Sequence, residues 1–156
     1  DIELTQVDCD WGPDRPLPDG WRWVLASPDH EPAYIALLNR GMGSMPGVYV
    51  PPDTEALASM RTTADGTKLL LDEQDEARAM VRCKLAKRYL HLIACTPEMR
   101  GRGLGRLALD EVRRMLGPGP LHLTVVKQNT HAHGFYLHMG FAPTEEVETW
   151  RMRIAA

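Results

Sequence analysis

The chain has 156 residues, of which 44% are apolar and 25% charged, and a net charge of -3. That length predicts one domain over residues 1–156, large enough to bury a core without disulfides or a structural metal. No apolar run approaches the roughly 18 residues that cross a bilayer, and a pI near 6.1 with basic residues that lack interleaved aromatics argues against nucleic acid.

In chain order, residues 1–20 are polar and rich in Pro and Asp, which predicts a connector with at most a short strand at residues 2–7. Residues 21–26 read as a strand, and Pro28-Asp29 should start a helix that runs to about Arg40. The stretch 41–53, GMGSMPGVYVPPD, is loop, and a helix follows from Thr54 to about Arg61. Residues 68–71 and 78–84 predict a hairpin around the acidic turn DEQDE. In its second arm Ala77, Ala79, Val81 and Cys83 share one face, with Arg78, Arg82 and Lys84 opposite. Residues 89–95 form a more buried strand. From Leu104 onward Leu107, Ala108, Val112, Met115 and Leu116 recur at helical spacing until GPGP at 117–120 stops the helix. Residues 121–126 are another strand, Asn129 or Thr130 caps a short helix that ends before Gly140, and 147–154 predict a closing strand. A β-rich order with interspersed helices implies an α+β (α/β sandwich) fold.

Charge is uneven. From Arg78 to Arg114 there are ten Lys or Arg against three acids, while residues 1–77 carry five bases and fifteen acids. An anionic ligand would favour the first segment and a cationic one the second, unless both are ordinary solvated faces. Cys9, Cys83 and Cys95 have neither zinc nor redox spacing and no secretory signal is visible, so a reducing cytoplasm is expected. The start at Asp1 is compatible with a longer native N-terminus. His131, His133 and His138 lack the i, i+4 spacing that grips a metal, so no metal is expected.

The segment PEMRGRGLGRLALDEV, residues 97–112, places Gly101, Gly103 and Gly105 between a strand and a helix N-terminus. Such a turn can present N–H groups, reinforced by the helix dipole, to phosphate. It can also be a plain left-handed turn. A Walker loop would need Gly-Lys followed by Ser or Thr where Gly105-Arg106-Leu107 stands, and a dinucleotide fingerprint would need G-x-G-x-x-G.

Downstream lies NTHAHGFYLHMGF at 129–141. Arg100-x-x-Gly103-x-Gly105, with Asn129-x-x-Ala132-x-x-Phe135-Tyr136-x-x-x-Gly140-Phe141 beyond one helix and one strand, resembles the GNAT superfamily of N-acetyltransferases. The close resemblance covers residues 88–141. It implies a mixed, mostly antiparallel sheet flanked by helices, with strands splayed at the cofactor site and acetyl-CoA as co-substrate. By position it implies that main-chain groups of Ile93 and Cys95 meet pantetheine and that the Ile93 N–H holds the thioester carbonyl. Arg100, Gly101, Arg102, Gly103, Leu104, Gly105 and Arg106 would surround the phosphates, and Asn129 would contact pantetheine or order its loop. Tyr136 would be the general acid for the departing thiolate. Strand alternation places Tyr89, His91, Ile93 and Cys95 on one face, so His91 is either the general base or a packed strand histidine. Cys95 is expected to be inert rather than an acyl carrier. Met42, Met45, Tyr49, Trp21 and Trp23 would line an acceptor pocket or serve as lid and core packing. The acceptor would be a small-molecule or peptide amine, cationic if the acidic half faces it, and an exposed C-terminal edge strand could pair in a homodimer. Two other readings fit fewer of these residues: an acyl-CoA sensor without turnover, and a nucleotide-binding α/β protein.

Overall fold

The protein is described here by a computed structural model covering residues 2–42, 53–62, 64–99 and 101–144. Within them the chain forms β1 (Ile2–Gln6), β2 (Arg22–Leu25), α1 (Glu31–Met42), α2 (Asp53–Thr62), β3 (Thr67–Leu71), β4 (Ala77–Lys84), β5 (Tyr89–Cys95), α3 (Leu104–Leu116), β6 (Leu121–Val125), α4 (Thr130–His138) and β7 (Ala142–Pro143). The strands make one seven-stranded sheet in the order β2-β3-β4-β5-β6-β1-β7. Among the described residues every strand pairing is antiparallel except β5 with β6, whose parallel crossover is made through α3. This is the mixed α+β fold the sequence implies.

Each face of the sheet has its own apolar layer. On one, Val81, Cys83, Leu90 and Leu123 pack with Ala108, Leu109 and Val112 of α3, and Phe135 and Tyr136 of α4 lean on the same cluster. On the other, Leu69, Leu71, Met80 and Ala94 pack against Tyr34, Leu37 and Leu38 of α1 and Met60 of α2. A strand covered on both faces cannot keep one side in water. That corrects the expected polar face of β4: Met80 is fully buried there, Arg82 is only 8% exposed, and Arg78 pairs with Asp72 at 2.8 Å.

The N-terminal residues are more than a connector. β1 lies between β6 and β7, with Ile2 opposite Val125 and Gln6 opposite Leu121, and Leu4 is fully buried. The irregular segment after it crosses α3. Trp11 donates its indole N–H to Asp110 (2.8 Å), the Arg15 main-chain N–H donates to the other Asp110 oxygen (2.9 Å), and Arg113 lies over the Trp11 ring and donates to the Cys9 carbonyl. Arg113 and Arg114 both bond Asp14, whose carboxyl they hold below its ordinary range. The expected strand at 147–154, and with it the proposed dimer edge, lies outside the described residues, as do Met45 and Tyr49.

Candidate active site

β5 and β6 run side by side for two residues only, Tyr89 with His122 and Leu90 with Leu123. Beyond that they part. A cleft of about 430 Å³ occupies the gap, bounded by residues 90–95 of β5, 123–126 at the end of β6, the glycine turn and α4. Its wall on the β5 side is largely main chain. Thr96 donates its N–H to the Arg78 carbonyl at 3.0 Å, so Ala94 and Leu92 also face β4, and alternation turns the N–H and C=O of Ile93 and Cys95 toward the gap. An extended ligand rich in amides can pair with such an edge.

The glycine turn closes one end. Gly101 and Gly103 hold φ of 77° and 78°, a left-handed backbone that side chains rarely adopt, and a Cβ on either would meet nothing within 4 Å. Gly103 is the N-cap of α3 and supplies no side-chain cap, so the first N–H groups of the helix stay open to an anion. Gly105 has a different role from the one its spacing suggests. It lies inside the first turn of α3, and a Cβ there would come within 3.1 Å of Phe135 Cζ, so its missing side chain makes room for α4 while the residue still lines the cleft. Leu104 is buried, Arg102 is exposed, and Arg100 lies outside the described residues.

Arg106 lines the cleft, but its guanidinium is engaged by Asp110 (3.1 Å) and the Pro13 carbonyl (2.7 Å). Much of the basic middle segment is committed in this way. Arg78 pairs with Asp72, Arg113 with Asp110, Arg114 and Lys68 with Glu111, and Arg88 caps the C-terminal carbonyls of α3 at Leu116 and Gly117. The positive excess therefore serves largely to pin α3 and the segment crossing it.

α4 supplies the opposite wall. Asn129 caps it, accepting from the Ala132 N–H at 3.2 Å, and so fixes the turn that brings Tyr136 to the cleft. The Tyr136 ring packs on Phe135 and edge-on against Phe141, with centroids 5.3 and 5.5 Å away. Burial, with Cys83 nearby, raises its pKa well above the ordinary phenol value, so it keeps its proton at neutral pH.

His91 lines the same cleft but does not share a face with Ile93 and Cys95. β4 and β5 slip register between Arg82/Leu92 and Cys83/Leu90, which leaves His91 as the extra residue of a bulge. Alternation then restarts one residue late: Ile93 packs on the α3 side, while Leu92 joins the α1 layer. Desolvation, together with the Arg82 and Lys84 charges, lowers the His91 pKa to about 4. The ring is neutral at pH 7 and accepts a proton only weakly.

Arg82 is the buried charge near the site that alternation hid, since it seemed one more outward base of β4, and it does not itself line the cleft. Met80, two residues before it on the same face, was the signal. Arg82 donates from Nη1 to the Tyr34 hydroxyl at 2.8 Å, and its buried Nε has no partner. Burying a guanidinium without an anion costs several kcal/mol. Among the described residues no Asp or Glu lines the cleft. Nor do they hold any group of three or more His, Cys, Asp or Glu placed to bind a metal, or a helix long and apolar enough to cross a membrane.

The sequence model of the acetyltransferase (GNAT) family matches residues 23–141, a span that holds the glycine turn, both splayed strands and α4. The chain belongs to that family. Solved structures agree on the fold. A GCN5-related N-acetyltransferase from Sphaerobacter thermophilus superposes with a TM-score of 0.71 at 16% identity, covering 92% of this chain and 48% of that one. The chain thus spans about half the length of that relative. The Escherichia coli ribosomal-protein-S18-alanine N-acetyltransferase gives 0.63 at 19% identity over 78% of this chain and 77% of its own. AAC(6')-Iy, solved with a CoA-linked bisubstrate analogue, gives 0.62 at 16% over 78% and 90%. Comparison with curated protein sequences gives no match.

Proposed function

We propose that this GNAT-family chain is an acetyl-CoA-dependent N-acetyltransferase in which a primary amine attacks the thioester directly, within the cleft between β5 and β6. The observation that carries this reading is a coincidence of place. Main-chain groups of β5 turned away from β4, an uncapped helix N-terminus behind a left-handed glycine turn, and a protonated phenol all border one cavity.

Acetyl-CoA supplies the activated acyl group. The residues present fit it. N–H groups at 104–106 face the end where a diphosphate would be held, each worth roughly 1.5–3 kcal/mol to a charged oxygen, and exposed Arg102 adds a charge. The Ile93 N–H is turned to donate to a carbonyl oxygen and to stabilise charge that develops on it. Tyr136 keeps its proton and donates it to the leaving sulfur, whose free-thiol pKa is about 8.5.

The acceptor must lose a proton, since an alkylammonium of pKa about 10.4 is free base only about once in a few thousand at pH 7. His91 and His131 both line the cleft, and His91, on β5 two residues before Ile93, is the imidazole we assign to that proton. With its pKa held low it relays the proton to water rather than storing it.

Calorimetry with acetyl-CoA, together with free CoA release in the presence of a panel of amines, tests the reading. Binding with turnover supports it, binding without turnover for any amine favours the acyl-CoA sensor, and no binding overturns both.

A further inference from the structure

We infer that the acceptor carries a carboxylate a few bonds from its amine, as an amino acid does, and that Arg82, with Lys84 beside it, holds that carboxylate. This names the acceptor for the transferase reading above and rests on it. Arg82 is more than nine-tenths buried near the middle of the sheet, yet among the described residues its only partner is the uncharged Tyr34 hydroxyl, and its Nε is left unsatisfied. Elsewhere in the same molecule the partly or wholly enclosed bases Arg78, Arg106, Arg113 and Lys68 each have a carboxylate. A guanidinium offers a planar fork of donors that matches two carboxylate oxygens, and a phenol uses one of them.

The place suits an acceptor. Arg82 stands directly across from Leu92, next to the His91 bulge, and both Leu92 and His91 line the cleft. Neighbouring strands are about 4.8 Å apart, and Ile93, where the acyl group would be held, is the next residue along. A carboxylate at Arg82 is therefore within a few bonds of an amine at the acyl carbon, a spacing that a polyamine or a large aminoglycoside does not match. Among the described lining residues there is no acid to receive a second ammonium group. Bound there, the anion also offsets the Arg82 and Lys84 charges, which add to the larger effect of desolvation in depressing His91.

The test uses the purified chain with acetyl-CoA and follows thiol release for the common α-amino acids, each paired with its carboxamide, and for simple alkylamines. The expected result is at least one amino acid with kcat/KM about tenfold or more above its carboxamide. Arg82→Met should bring the acid down to the carboxamide's level, and Arg82→Lys should keep part of the preference. Arg82→Met removes an unpaired buried charge and is expected to fold, and calorimetry with acetyl-CoA reports whether its cofactor site is intact. Carboxamides or alkylamines that match the acids, or a preference unchanged in Arg82→Met, overturn the inference and leave the transferase standing. Absence of acetyl-CoA binding in the native chain removes the transferase reading itself.

Discussion

The indole N–H of Trp11 reaches the fully buried carboxylate of Asp110 across 2.8 Å, and through that bond an irregular segment near the N-terminus is fastened to the middle of α3. The same carboxylate takes donors from the Arg15 main chain, Arg106 and Arg113. Asp110→Ala takes a buried acceptor from the Trp11 indole, the Arg15 main-chain N–H and two arginines that keep other partners, and should lower unfolding free energy by roughly 3–5 kcal/mol. Trp11→Phe, which keeps the ring and loses one bond to a charged acceptor, should cost about 1.5–3 kcal/mol. Urea denaturation measures both, and an Asp110→Ala loss under about 1 kcal/mol would show that this junction does not hold the segment.

Gly105 and Gly103 should respond differently to the same substitution. Gly105→Ala pushes a methyl toward Phe135, shifts the helix that carries Tyr136, and is expected to cost about 1–3 kcal/mol with a fall in kcat. Gly103→Ala meets open space but must adopt a left-handed backbone, at about 1–2 kcal/mol, and should weaken cofactor affinity more than turnover. Equal kcat and KM effects for the two variants would contradict the separation of packing from binding.

Tyr136→Phe keeps the packing against Phe135 and Phe141 and loses only the proton donor. Acetyl-CoA should bind as before by calorimetry while kcat drops on the order of 100-fold. An unchanged kcat would remove the phenol from the chemistry.

His91 gives a pH signature in stability as well as in rate. Its pKa in the folded chain, about 4, is below the ordinary 6.5, so the unfolded chain takes up this proton first as pH falls. The stability linked to His91 is therefore complete above about pH 6.5 and is lost progressively toward pH 4. His91→Gln should flatten the fall in melting temperature between about pH 6.5 and 4.5, and a slope identical to that of the native chain would show the histidine unperturbed.

Much of this architecture was legible because periodicity and punctuation agreed. Leu104 to Leu116 alternate at helical spacing, Gly117 ends the helix, and Asn129 caps α4 as its side chain suggests. Reading from a strict period of two failed at two places for one reason. A bulge at His91 and a second helical layer over Arg82 are long-range events, set by the register of β4 on β5 and by α1, and neither leaves a local mark beyond the buried neighbour Met80. The packing constraint on Gly105 was hidden for a related reason, since it comes from Phe135, thirty residues away. The committed charges of the middle segment were hidden too, because Asp14 is about a hundred residues from the arginines it holds.

The position of β1 bears on how the chain is made. Ile2 and Glu3 pair with Val125 and Thr124, partners translated more than a hundred codons after them. Until β6 emerges, that strand has an apolar face and no sheet to join, and contacts of such sequence separation slow the search for the native state. Refolding from denaturant should accordingly be slower than in a transferase whose sheet closes with neighbouring segments, and nascent chains arrested before residue 121 should depend on chaperones to shield Ile2 and Leu4.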